Sequence, residues 1–135
     1  MTALHEDLVI PQGKSWVSPL WALLGENNTG VELGSRVVRA QVRETPRDAQ
    51  ILHEWSTVKG NVQVTNPVTV TLTAEDGTTT VQTVAVALTV KPSESSAWAW
   101  RTGFYDVEIT NPADPDDVWS VVETSSVRVD PEVTR

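Results

Sequence analysis

The sequence predicts an all-β fold: a single antiparallel β-sandwich, immunoglobulin-like or related, with one long hairpin and at most a short helical turn. Three observations carry that expectation. Valine and threonine, β-branched residues that favour strands, dominate the chain. Apolar and polar residues alternate with a period of two in several short runs. Turn residues separate those runs at the spacing of a sandwich or barrel. The chain has 135 residues, 39 % hydrophobic and 21 % charged, which suits one domain with a sizeable core.

Taken in order, Leu8-Val9-Ile10 reads as a short strand stopped by the turn residues Pro11 and Gly13. The run 15–24, SWVSPLWALL, is strongly apolar, but Pro19 removes a ladder donor and predicts an edge or a bend. SRVVRAQVRETPR is ambiguous. Arg36, Arg39, Arg43 and Arg47 fall at helical spacings, whereas a strand would put Val38, Ala40 and Val42 on one face and Arg39, Gln41 and Arg43 on the other. The β-rich context favours the strand. The clearest element spans 68–90: Val68, Val70 and Leu72 alternate with Thr69, Thr71 and Thr73. Asp76-Gly77 then supplies the positive φ angles of a tight turn, and the return arm alternates through Val84, Val86, Leu88 and Val90. PSESSAW predicts a single helical turn with Ser93 as its N-cap. FYDVEIT and VWSVVETSSVRV alternate as strands, with 111–117, NPADPDD, as the loop between them. The expected plan is a flexible N-terminal arm over 1–7, a sandwich over 8–130 and a tail over 131–135.

Several function classes are disfavoured. A formal charge of −8 does not suit nucleic acid, whose phosphates need clustered Lys and Arg. The chain has no cysteine, which excludes disulfide scaffolds, thiol catalysis and cysteine-ligated zinc. No apolar run approaches the roughly 20 residues of a membrane helix, so no membrane partner is expected. The N-terminal stretch lacks a basic segment followed by an apolar one, and the expectation is a chain made and folded in a cytosol.

Groups that could do chemistry are scarce. His5 and His53 are the two histidines, and nothing marks a base oriented by a third group. No phosphate-binding glycine loop is present. The expectation is a protein without enzymatic activity or cofactor. Asp114, Asp116 and Asp117 are weak candidates for calcium, since their spacing does not match an EF-hand loop. Arg36, Arg39, Arg43 and Arg47 are candidates for gripping an acidic partner. Trp98 and Trp100 share strand parity and, with Trp55, are the candidates for stacking on a sugar. Core packing is the competing role for these rings, because a small β domain needs their area.

The order of motifs along the chain resembles the small β-sandwich proteins encoded among virion structural genes of tailed bacteriophages, especially siphophages of actinobacteria. The residues that carry the resemblance are Leu8 to Trp16 and on to Trp21, Val31-Glu-Leu-Gly34, and Arg39-Ala-Gln-Val-Arg43. Gly103-Phe-Tyr105-Asp-Val-Glu-Ile109 and Ser126-Val-Arg-Val to Arg135 complete the set. Lys14 stands where an acid is usual, and 58–90 is longer than the family's strand pair, as an inserted hairpin would be. The resemblance implies a virion structural component, tail- or baseplate-associated or a capsid decoration protein, present in many copies against other virion subunits. It also implies that the Tyr105 strand is central and that Tyr105 and Trp98 pack the sandwich.

Overall fold

The structure, a computed structural model, describes residues 3–131. Along these residues run β1 (Leu8–Pro11), β2 (Trp16–Val17), β3 (Trp21–Ala22), a 3₁₀ turn (Glu26–Asn28), β4 (Val37–Arg43), β5 (His53–Ser56), β6 (Val62–Ala74) and β7 (Gly77–Val90). A helical turn α1 (Pro92–Ser96) leads to β8 (Thr102–Asn111) and β9 (Asp114–Asp130). They form a sandwich of two sheets. One has the order β1-β9-β8-β4-β5; in the other β7 pairs with β6 on one side and with β2 and β3 on the other.

Period-two alternation builds the core between them. β4 turns Val38, Ala40 and Val42 inward, β8 turns Tyr105, Val107 and Ile109 inward, and β7 contributes Val84, Val86, Leu88 and Val90. Each valine, leucine or isoleucine among them stabilises the fold by about 1.5–3 kcal/mol on burial. The strand alternative for 37–43 is therefore the one adopted. β8 lies between β4 and β9, so the Tyr105 strand is central as expected. Trp21 and Trp55 are buried in the same core, and Trp16, Trp98, Trp100 and Trp119 pack against it while remaining partly exposed.

Pro19 divides the run 15–24 into the two short strands β2 and β3. Ser18 seals the gap: its N–H donates to the Leu88 carbonyl and its Oγ accepts from the Leu88 N–H, both at 2.8 Å.

Five expectations need correction. Residues 4–7 are not a free arm. Leu4 forms a bridge to Val122, the Glu6 N–H donates to Ser125 Oγ at 3.1 Å, and Tyr105 Oη donates to the Glu6 carbonyl. Asp7 Oδ1 accepts from the N–H and hydroxyl of Ser126, at 2.9 Å each. Residues 1, 2 and 132–135 of the expected arm and tail lie outside the described residues. Secondly, the all-β sandwich is the expected fold and its strand pairs are antiparallel with one exception: β1 runs parallel to β9, Leu8 beside Val127 through Pro11 beside Asp130.

The third correction concerns α1, whose N-cap is Lys91, with Pro92 opening the helix and Ser93 inside it. The Lys91 N–H donates to Glu94 Oε1 at 3.0 Å, which leaves Ser93 no capping role. Fourth, the loop expected over 111–117 shrinks to Pro112-Ala113, because β9 already begins at Asp114, paired with Asn111. Fifth, the hairpin turn consists of Glu75-Asp76, and only Gly77 takes a positive φ, 137°.

Within the long hairpin, β6 carries a bulge between Thr65 and Val68. Before it, Val62 and Val64 lie opposite Leu88 and Val86, on the core-facing side of β7. After it, Val68 and Val70 lie opposite Thr83 and Val81, which have the other parity along β7. The extra residue moves the β6 valines to the sheet face turned away from the core. Among the described residues β6 pairs from Val68 to Ala74 with β7 alone, and no residue from Thr69 to Val81 is buried. This ribbon reaches about 20 Å at the strand rise of roughly 3.3 Å per residue.

Candidate functional site

Two surfaces stand out among the described residues: the outer face of the five-stranded sheet, and the outlying ribbon. On the first, strand parity turns Arg39, Gln41 and Arg43 of β4 outward beside Glu108, Asp106 and Phe104 of β8. Together with Pro46 and Thr124 they line a shallow concavity of about 210 Å³. A hydrogen-bonded row leads from it toward β5: Arg43 Nη2 donates to Gln41 Oε1 at 2.9 Å, and Gln41 Nε2 donates to Glu54 Oε2 at 2.6 Å. Lys59 Nζ closes the row on Glu54 Oε1 at 3.2 Å. The Gln41 hydrogen bond, with the Lys59 ammonium, holds the Glu54 carboxyl below its ordinary range. Asp106 is half-buried, and burial pushes its carboxyl up against the opposing pull of Arg39 and Arg43.

The four candidate arginines do not form one patch. Arg39 and Arg43 share the concavity. Arg36 is engaged within the chain: its Nε donates to Asp117 Oδ2 at 3.0 Å, and its guanidinium lies 4.7 Å from the Trp119 ring centroid. Arg47 lies exposed in the connection after β4. Gln41, Glu54, Lys59, Asp106 and Glu108 are participants that sequence reading missed. Outward parity was legible for Gln41, but which strand lies beside it was not.

The three aspartates do not converge either. Asp117 accepts from Asn111 Nδ2 at 3.1 Å and from Arg36, which together hold its carboxyl below the usual range. Asp114 Oδ1 accepts from the Asp116 N–H at 3.1 Å, an ordinary turn contact. Among the described residues no group of three or more His, Asp and Glu could hold a metal ion.

The sugar-stacking trio is also divided. Trp55 is fully buried, and its Nε1 donates to the Thr89 carbonyl at 2.9 Å, tying β5 to β7 across the sandwich. Trp98 and Trp100 are partly exposed, with ring centroids 4.7 Å apart and planes tilted by 32°, so the rings spend much of their area on each other. His53 bridges to this pair, its ring 4.6 Å from Trp55 and 4.9 Å from Trp98, and burial lowers its pKa.

The ribbon differs in character. From Asn61 to Ala74 and from Gly77 to Val90 there is no charged residue, and Glu75 and Asp76 sit at its tip. It is a long free edge without the lysines that commonly blunt such strands. No protein-family model matches the chain, and no curated protein matches it.

Proposed function

We propose that this chain is a non-enzymatic structural component of a tailed-phage virion, docking in many copies onto neighbouring subunits through its sheet edges. Association with the tail or baseplate is preferred to capsid decoration. The observation that carries the reading is the uncharged ribbon held out from a well-packed sandwich. A two-stranded ribbon is marginal alone, and its free edge suits contact with another subunit better than it suits turnover of a substrate. The mixed-charge concavity around Arg39, Arg43, Asp106 and Glu108 offers a second contact surface, able to orient a neighbour by paired charges. The resemblance of the motif order to phage sandwich proteins supports the same reading. Glycan binding is weakened by the burial of Trp55, which leaves Trp98 and Trp100 alone.

Gold-conjugated antibody against the chain, applied to intact and to gently disrupted particles of the parent phage, tests this. Label on the tail is the expected result, and label on the head would make the chain a decoration protein. Absence of label from both preparations would refute the virion role.

A further inference from the structure

We infer that the ribbon pairs with the same ribbon of a second copy, β6 edge to β6 edge, antiparallel about a twofold axis at Thr71. The bulge and Pro67 bound the usable edge on one side, since Pro67 has no N–H to donate. The turn at Glu75 bounds it on the other. What lies between, Val68-Thr-Val-Thr-Leu-Thr-Ala74, is its own complement. In antiparallel pairing about Thr71, Thr69 meets Thr73, Val70 meets Leu72 and Val68 meets Ala74. Apolar residues face apolar, threonine faces threonine, and no like charges are opposed. An isologous contact requires this self-complementarity, whereas a pairing with a different protein would not.

The twofold axis stands normal to the sheet, so the stripes of Val68, Val70 and Leu72 from the two copies fall on one face and join. That stripe lies on the sheet face turned away from the core, where Val68, Val70 and Leu72 are half-buried against their own ribbon and keep apolar area for a partner. The opposite edge of the ribbon is the weaker candidate. Its free part, from Gly77 to Val81, is short, and it ends where Gly30 closes on Gln82, the Gln82 carbonyl oxygen lying 2.2 Å from where a Gly30 Cβ would stand.

The inference rests on the reading of this chain as a repeating structural unit, and the two fail separately. Particle labelling reports the virion role whether or not purified chains pair.

The absence of native cysteine gives a direct test. Residues directly opposite in an antiparallel pair have Cα atoms about 4.5–5.5 Å apart, inside the disulfide range of about 4.4–6.8 Å. Purified full chain carrying Thr71→Cys is therefore expected to convert to a disulfide-linked dimer on mild oxidation. Thr80→Cys, on the exposed cross-strand neighbour of Thr71, is expected to remain monomeric. Mixing Thr69→Cys chains with Thr73→Cys chains should give the mixed dimer in excess over either homodimer. Tryptophan emission, from rings outside the ribbon, verifies that each variant is folded. Equal cross-linking at positions 71 and 80, or none at 71 together with none in the mixture, would overturn the pairing.

Discussion

Replacing Trp55 with phenylalanine tests whether this ring belongs to the core or to a surface site. The substitution removes the indole N–H that reaches the Thr89 carbonyl, a hydrogen bond worth about 1 kcal/mol. It also leaves a void of roughly 40 Å³, which at about 24 cal/mol per Å³ costs close to another 1 kcal/mol. The lost transfer energy of the missing ring atoms brings the total to about 2–3 kcal/mol. With an unfolding entropy of about 2.1 cal/mol/K per residue over 135 residues, the melting temperature should fall by about 7–11 °C. Thermal melts followed by circular dichroism measure this, with Trp98→Phe as a control expected to shift less because that ring is partly exposed. A fall of less than about 2 °C for Trp55→Phe would refute the placement of this ring between the sheets.

His53 is half-buried, and that partial burial favours its neutral form and holds its pKa below the ordinary 6.5. The unfolded chain therefore binds the extra proton first, so this group's stabilising share is complete above pH 6.5 and is lost as pH falls toward the lowered folded value. His53→Gln should flatten that part of the stability curve in denaturant titrations between pH 8 and 5, and an unchanged slope would count against it. Deleting residues 1–7 should lower the melting temperature, and Tyr105→Phe alone should cost about 1 kcal/mol by removing the hydroxyl that binds the Glu6 carbonyl. A truncated chain that melts like the full one would restore the free-arm reading. Gly30→Ala places a Cβ 2.2 Å from the Gln82 carbonyl oxygen. The forced shift should cost about 1–3 kcal/mol in urea unfolding, with Gly34→Ala unsuitable as a control because its φ of 60° adds strain of its own.

Local alternation made much of the fold legible. The inward triplet Val38, Ala40 and Val42 and the valines of 84–90 declared their faces because a strand side chain can point only two ways. What depends on partners distant in sequence was not visible. The docking of residues 4–7 rests on Ser125, Ser126 and Tyr105, about 100 positions or more away. The bulge could not be read either: the alternation of Val68, Val70 and Leu72 is unbroken, and the reversal of face shows only against the register of β7. At the site, parity separated Arg39 and Arg43 from the core, but Arg36 looked like their equal until Asp117 and Trp119 were seen around it. Trp55 resembled Trp98 and Trp100 in type while differing from them in depth.

The parallel run of β1 against β9 decides how the domain bears load. The chain reaches β1 from the Leu4 end of the sheet and leaves β9 past Asp130, at the other end of the same edge. Tension applied through those two points does not peel the strands apart one hydrogen bond at a time. It slides them lengthwise, so the bonds along Leu8–Pro11 and the bridge at Leu4 resist together. A domain strung this way behaves as a shear clamp, stiff along its own axis, and yields more readily to a pull across the sheet.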